Sequence, residues 1–171
     1  WTFVWKQCPN VRLCDESHRV AERIDSSYTT VIGTNVIPPK SLNSWHIKVV
    51  STKVGDNGLM VGVAPNDIDT SLGVDNSIKC GWYFSIFAHT LYSGPPQKKN
   101  SASYAECDKA RAGDIITVTI DSRGSKGVLS FAVNGKNLGV AFNDIPLDKP
   151  LLPAVFLYKS EERIELLDVF S

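Results

Sequence analysis

Three runs of this chain alternate apolar and polar side chains with a period of two, and no other feature constrains its fold as strongly. Trp45, Ile47 and Val49 alternate with His46 and Lys48. Ile116, Val118 and Ile120 alternate with Thr117, Thr119 and Asp121, and Leu129, Phe131 and Val133 with Ser130 and Ala132. Successive side chains of a strand point to opposite faces, so each run reads as a strand with one buried face. Between the last of these runs and Leu138 stands Asn134-Gly135. A type I′ turn needs positive φ at both central residues, which Asn tolerates and Gly allows freely. The pattern predicts a tight hairpin there, preceded by a second one pairing 114–121 with 127–133, and so an antiparallel meander. Further turn signals stand at Pro38-Pro39, Asp56-Asn57-Gly58, Gly94-Pro95-Pro96 and Ser122-Arg123-Gly124. Helical periodicity is confined to 103–111, where Gly113 would end a turn or two. Many short strands with almost no helix predict an all-β sandwich.

A length of 171 residues suits one domain with its own core, and no linker, repeat or low-complexity tract divides it. Apolar residues at 43% and charged residues at 21% fit a folded chain rather than a disordered one. With 18 basic and 18 acidic residues there is no cationic excess to neutralise phosphates, so nucleic acid is not an expected partner. The one dense basic pair, Lys98-Lys99, adjoins a turn and reads as a solvated loop. The most apolar run, 151–158, is short and broken by Pro153, so no membrane partner is expected. The chain begins at Trp1 with no visible leader and is expected to be a fragment of a longer protein. Cys8, Cys14, Cys80 and Cys107 form no CxxC pair, and the spacing fits free thiols in an intracellular, cytoplasmic protein. One or two bridges are the alternative, Cys8–Cys14 being the most local.

Catalytic patterns are missing: no nucleophile elbow, no HExxH and no phosphate loop. Asp67/Asp69 and Glu161/Glu162 are neighbours in sequence, which does not by itself set two carboxylates across a cleft. Oxygen ligands at 66–69 lack the further spacing of a calcium loop, so a solvated turn is expected and no metal or cofactor. His46 falls on an outer strand face and His89 reads as structural. Trp45, Trp82, Phe84 and Phe131 read as core. Tyr28, Tyr92 and Tyr158 fall at strand ends or in loops, where a tyrosine either anchors a partner or packs beneath its own loop.

Taken in order, several segments resemble the SPRY domain family. Ser44-Trp45-His46-Ile47-Lys48-Val49 is similar to its early "W-x-(V/I)-x-V" strand, Met60-Val61-Gly62-Val63-Ala64 to its "(I/V)-G-(V/I)-A" strand, and Cys80-Gly81-Trp82-Tyr83 to its "GW" strand. The most specific stretch is Gly113-Asp114-Ile115-Ile116, Asp121, Gly127-Val128-Leu129-Ser130-Phe131, Asn134-Gly135 and Gly139-Val140-Ala141-Phe142, followed by Leu152-Pro153-Ala154-Val155. The likeness runs over about 11–169 and identifies 1–171 as a single SPRY domain. It implies a bent sandwich of two antiparallel sheets, lectin-like (concanavalin, jelly roll) in architecture. It also implies a non-catalytic adaptor, often joined through flanking regions to ubiquitin-ligase or scaffold assemblies, that binds a protein or peptide ligand through edge loops. The matching loops are 22–28, 66–69 and 158–161. Arg23, Asp25, Tyr28, Asp67, Asp69, Tyr158, Lys159 and Glu161 are the expected partner-binding residues, and all three loops are expected to meet at one edge with these side chains exposed. Where some members carry a tryptophan in the last loop, this chain has Lys159, so peptides that require that indole should not bind. A glycan-binding domain is the alternative, with Tyr158 as a sugar platform beside Asp67 and Asp69.

Overall fold

The computed structural model describes residues 1–25, 28–52, 59–71, 80–93, 104, 108–158 and 161–168. The Asp56-Asn57-Gly58 and Gly94-Pro95-Pro96 turns, Lys98-Lys99, Cys107, Lys159 and most of the expected helical turn lie outside them. The described residues contain twelve strands and no helix. In chain order these are β1 (Val11–Leu13), β2 (Val20–Arg23), β3 (Thr29–Ile32), β4 (Leu42–Ser51), β5 (Met60–Pro65), β6 (Trp82–Ser85), β7 (Leu91–Ser93), β8 (Ile115–Asp121), β9 (Gly127–Val133), β10 (Lys136–Ile145), β11 (Leu151–Leu157) and β12 (Arg163–Leu167). They form two antiparallel sheets, one ordered β1-β2-β12-β4-β8-β9-β10 and the other β3-β11-β5-β6-β7.

The alternating runs build the centre of the seven-stranded sheet. Trp45, Ile47, Val49, Ile116, Val118, Ile120, Leu129 and Phe131 are all buried, while His46 shares a 2.8 Å hydrogen bond with Thr117 on the outer face. The meander β8–β9–β10 forms as expected. Asn134 and Gly135 have φ of 49° and 81°, and Val133 pairs Lys136 directly across the turn. The Asn134 side chain also ties the hairpin to β8, donating to Asp114 at 2.9 Å and accepting from the Ile115 amide at 2.9 Å.

The five-stranded sheet is built differently. Every residue of β3 and β11 is buried, as is β5 up to Pro65. With both faces covered, β5 and β11 read as near-continuous apolar runs rather than alternating ones, while β3 buries Thr29 and Thr30 beside Val31 and Ile32. Gly62 lets β5 and β6 approach: a Cβ there would sit 1.8 Å from the Trp82 carbonyl oxygen. Tyr83 and Phe84 are wholly buried, whereas Trp82 is only half-buried, contrary to its expected place in the core. It is the first residue of β6, an internal strand, and its indole packs against the outside of the core and lines a surface cavity. Burial holds the Tyr83 phenol well above its usual range. Cys8, Cys14 and Cys80 are free thiols, so the local Cys8–Cys14 bridge does not form. No helix among the described residues is long and apolar enough to cross a membrane.

Candidate functional site

The last two strands, β11 and β12, lie in different sheets, and the turn between them crosses one end of the sandwich. Two buried charged residues hold that turn. Glu162 accepts the Tyr158 backbone N–H at 2.7 Å, and Arg23 donates from its guanidinium to the Tyr158 carbonyl. The Arg23 backbone adds two further bonds, its N–H to the Glu162 carbonyl at 3.0 Å and its C=O to the Glu161 N–H at 3.2 Å. Glu161 takes a φ of 67° to complete the turn, and its carbonyl accepts from Ser51 at 2.6 Å. Burying charge is tolerated only where hydrogen bonds compensate it, and here the compensation is a backbone turn.

Above this base lie two tyrosines. The Tyr28 and Tyr158 rings are 4.6 Å apart at 32°, and Tyr28 also lies 6.2 Å from Phe156 in a stacked arrangement. The Arg23 guanidinium carbon is 6.0 Å from the Tyr28 ring centroid, within reach of a cation–π contact. Tyr28 makes a long hydroxyl contact of 3.4 Å to Tyr158, and this neighbour raises its phenol above the ordinary value. Tyr28 is 38% exposed and Ile24, next to Arg23, 55% exposed. The result is an exposed apolar and aromatic surface on a buried polar footing, with the exposed Asp25 and Glu161 in the same two segments.

The expected site is therefore assembled in part. Arg23, Tyr28, Tyr158 and Glu161 come together, and Asp25 adjoins them. Arg23 is not the exposed anchor it was expected to be: it is 3% exposed, on β2 rather than in a loop. Glu22, the first residue of the expected 22–28 loop, is likewise on β2 and buried. Its carboxylate accepts from Arg12 at 2.6 Å and Arg163 at 3.1 Å, which hold it below the usual glutamate range. Tyr158 is half-buried against Tyr28 rather than free-standing.

Asp67 and Asp69 do not join the site. On β11, Leu151 pairs Pro65 and Phe156 pairs Met60, so residues 66–69 follow β5 at the opposite end from Tyr158. Six residue steps of strand separate the two ends by roughly 20 Å. Asp67 there bonds Lys149 at 2.6 Å and Asp69 bonds Ser71 at 2.5 Å. The platform of Tyr158 with two aspartates that a sugar site would use is thus not formed. Reading the sequence missed Glu162 and Ile24. The signal for Glu162 was its position before the alternating β12 run, where an inward carboxylate needs a partner. Among the described residues, no group of three or more His, Cys, Asp or Glu is placed to hold a metal ion.

The sequence matches the family model described as the SPRY domain over residues 44–167. No curated protein matches it. Among solved structures, it is similar to the SPRY domain of human HERC1 at 18% identity, with a TM-score of 0.76 and 99% of each chain covered. It is also similar to the neuralized NHR1 domain of Drosophila melanogaster at 16% identity, TM-score 0.64, with 98% of each chain covered. The TRIM65 PSpry domain aligns at 9% identity and TM-score 0.67 over 98% of this chain and 92% of its own.

Proposed function

We propose, on the premise that this chain belongs to the SPRY domain family, that it is a non-catalytic module over 1–171 that recognises a short segment of a partner protein at the Tyr28–Tyr158 end. SPRY domains are in general protein-interaction modules without catalysis. The observation that carries the finer reading is the Tyr28–Tyr158 pair, exposed in part and rigidly based on Arg23 and Glu162. Aromatic side chains on a fixed base give large contact area with little ordering on binding. Ile24 extends the apolar surface, while Asp25 and Glu161 give it an acidic rim that favours a partner segment carrying basic residues at its ends. Through flanking regions such a module would place its partner in a ligase or scaffold assembly.

A peptide array of short, sequence-diverse segments, read with wild-type protein and with Tyr28→Ala and Ile24→Ala variants, tests this. Bound peptides should lose about tenfold or more in affinity for each variant, with melting temperatures close to wild type. Binding that survives both substitutions unchanged would place the site elsewhere.

A further inference from the structure

The end of the sandwich opposite the tyrosine pair carries two adjoining cavities. One, of about 400 Å³, is walled by Val36, Pro38, Ile120 and Leu147. The other, of about 530 Å³, is lined by Trp82, Asp67 and Asp69. Asp148, Lys149 and Leu151 line both, so the two form one cleft across the start of β11. Its halves differ in chemistry. The first is mainly apolar, with Lys40 and the shared Asp148 and Lys149 as its charged lining, and Val36 in its wall is 44% exposed, a large hydrophobic side chain left in solvent. The second brings the carboxylates of Asp67, Asp69 and Asp148 around the half-buried Trp82, with Lys149 the one cation among its described lining residues. That cation is already engaged by Asp67 at 2.6 Å. Among the described residues Asp69 is bonded only to the neutral Ser71, so the described lining of this half sets three carboxylates against one cation beside an indole.

We infer that this cleft is a second docking site, separate from the tyrosine end, and that it takes a protein segment presenting a lysine or arginine beside an apolar side chain. A cation is the charge complement of the second cavity, and an aromatic wall attracts it further. An aliphatic side chain fits the first cavity, where Val36 and Leu147 gain contact by its burial. Acidic segments are disfavoured at the second cavity by the same carboxylates. Because the two sites lie at opposite ends of β11, this inference stands whether or not the tyrosine pair binds anything.

The test uses the isotope-labelled protein and three blocked tripeptides followed by NMR: acetyl-Leu-Gly-Lys-amide, the same peptide with Glu for Lys, and the same peptide with Gly for Leu. The lysine peptide should shift the Trp82 indole N–H and the Val36 and Leu151 signals with a millimolar Kd. The Glu peptide should leave them in place, and the Gly peptide should bind more weakly. The Asp69→Lys, Asp148→Lys double variant, confirmed as folded by its melting temperature, should lose about tenfold or more. Tyr28→Ala should change nothing at this cleft. Equal binding of the Glu peptide, shifts that map instead to Tyr28 and Tyr158, or no shift at tens of millimolar lysine peptide would each overturn the proposal. So would shifts of the same signals with protein concentration alone, which would make a second copy the occupant.

Discussion

Both ends of β11 carry charged residues, and they show how little the presence of an ion says without its burial. At the Tyr158 end, Arg23 is 3% exposed and Glu162 fully buried, and both bond the backbone of a turn. At the Leu151 end, Lys149 meets Asp67 at 2.6 Å, but their side chains are 55% and 58% exposed. Water competes for the second pair and leaves the first alone. One end is a rigid footing for a surface; the other is a solvated rim around a cleft. The lesson concerns position: a hydrogen bond to a buried charge fixes a loop, whereas the same contact in solvent sets mainly the local field.

That contrast is sharpest where it should do most damage. Arg23→Ala or Glu162→Ala leaves buried polar groups of the turn unpaired, and each should cost about 2–4 kcal/mol. For a domain of this size that is a fall of roughly 6–12 °C in melting temperature. A loss below 1 kcal/mol in chemical unfolding would show that the turn is held by packing alone.

Glu22 gives an intermediate case. Its side chain is 9% exposed, but its partners Arg12 and Arg163 are 61% and 38% exposed, so solvent screens part of the attraction. Glu22→Gln should cost about 1–2 kcal/mol at pH 7. The folded carboxyl ionises at lower pH than the ordinary 4.5 because of Arg12 and then Arg163. The folded state therefore binds fewer protons than the unfolded one as pH drops below that value. The stabilisation is complete above about pH 4.5 and is lost as pH falls through the folded value. Melting curves of wild type and variant should differ at pH 7 and converge in acid; a gap that persists at the lowest pH would locate the effect in packing.

The smallest effect belongs to the other end. Lys149→Ala should leave the melting temperature unchanged within error, since an exposed pair contributes little. A clear destabilisation by calorimetry would erase the distinction between the two ends.

Sequence reading served the two sheets unequally, for a physical reason. The seven-stranded sheet buries one face of β4, β8 and β9, so Trp45 to Val49 and Ile116 to Ile120 announce both strand and orientation. In the five-stranded sheet both faces of β11 and most of β5 are buried, the period vanishes, and Val61-Gly62-Val63-Ala64 was legible only as a family likeness. The site was half legible. Tyr28 and Tyr158 stood out by residue type. Arg23 was misjudged because an arginine at a strand end normally reaches solvent, and only a turn arriving from the far end of the chain makes its burial affordable. Asp67 was placed at the wrong end because loops of one sandwich look alike in sequence, while the strand register that separates them is a property of pairing.

Strand order also governs when this domain can exist. β12 lies between β2 and β4, and β11 between β3 and β5, so the two latest strands are inserted among the earliest. Glu22 waits for Arg163, 141 residues downstream. During translation roughly 5–20 s separate the emergence of β5 from that of β12. Until then β2, β3 and β4 present unpaired edges open to neighbouring chains. The turn that carries Tyr158 joins those two final strands, so it is ordered by the closing step of folding. Affinity at the tyrosine end should therefore appear late in a refolding time course, after the β8–β9–β10 meander has formed, and a nascent chain would stay silent toward its partner until its sheets are complete.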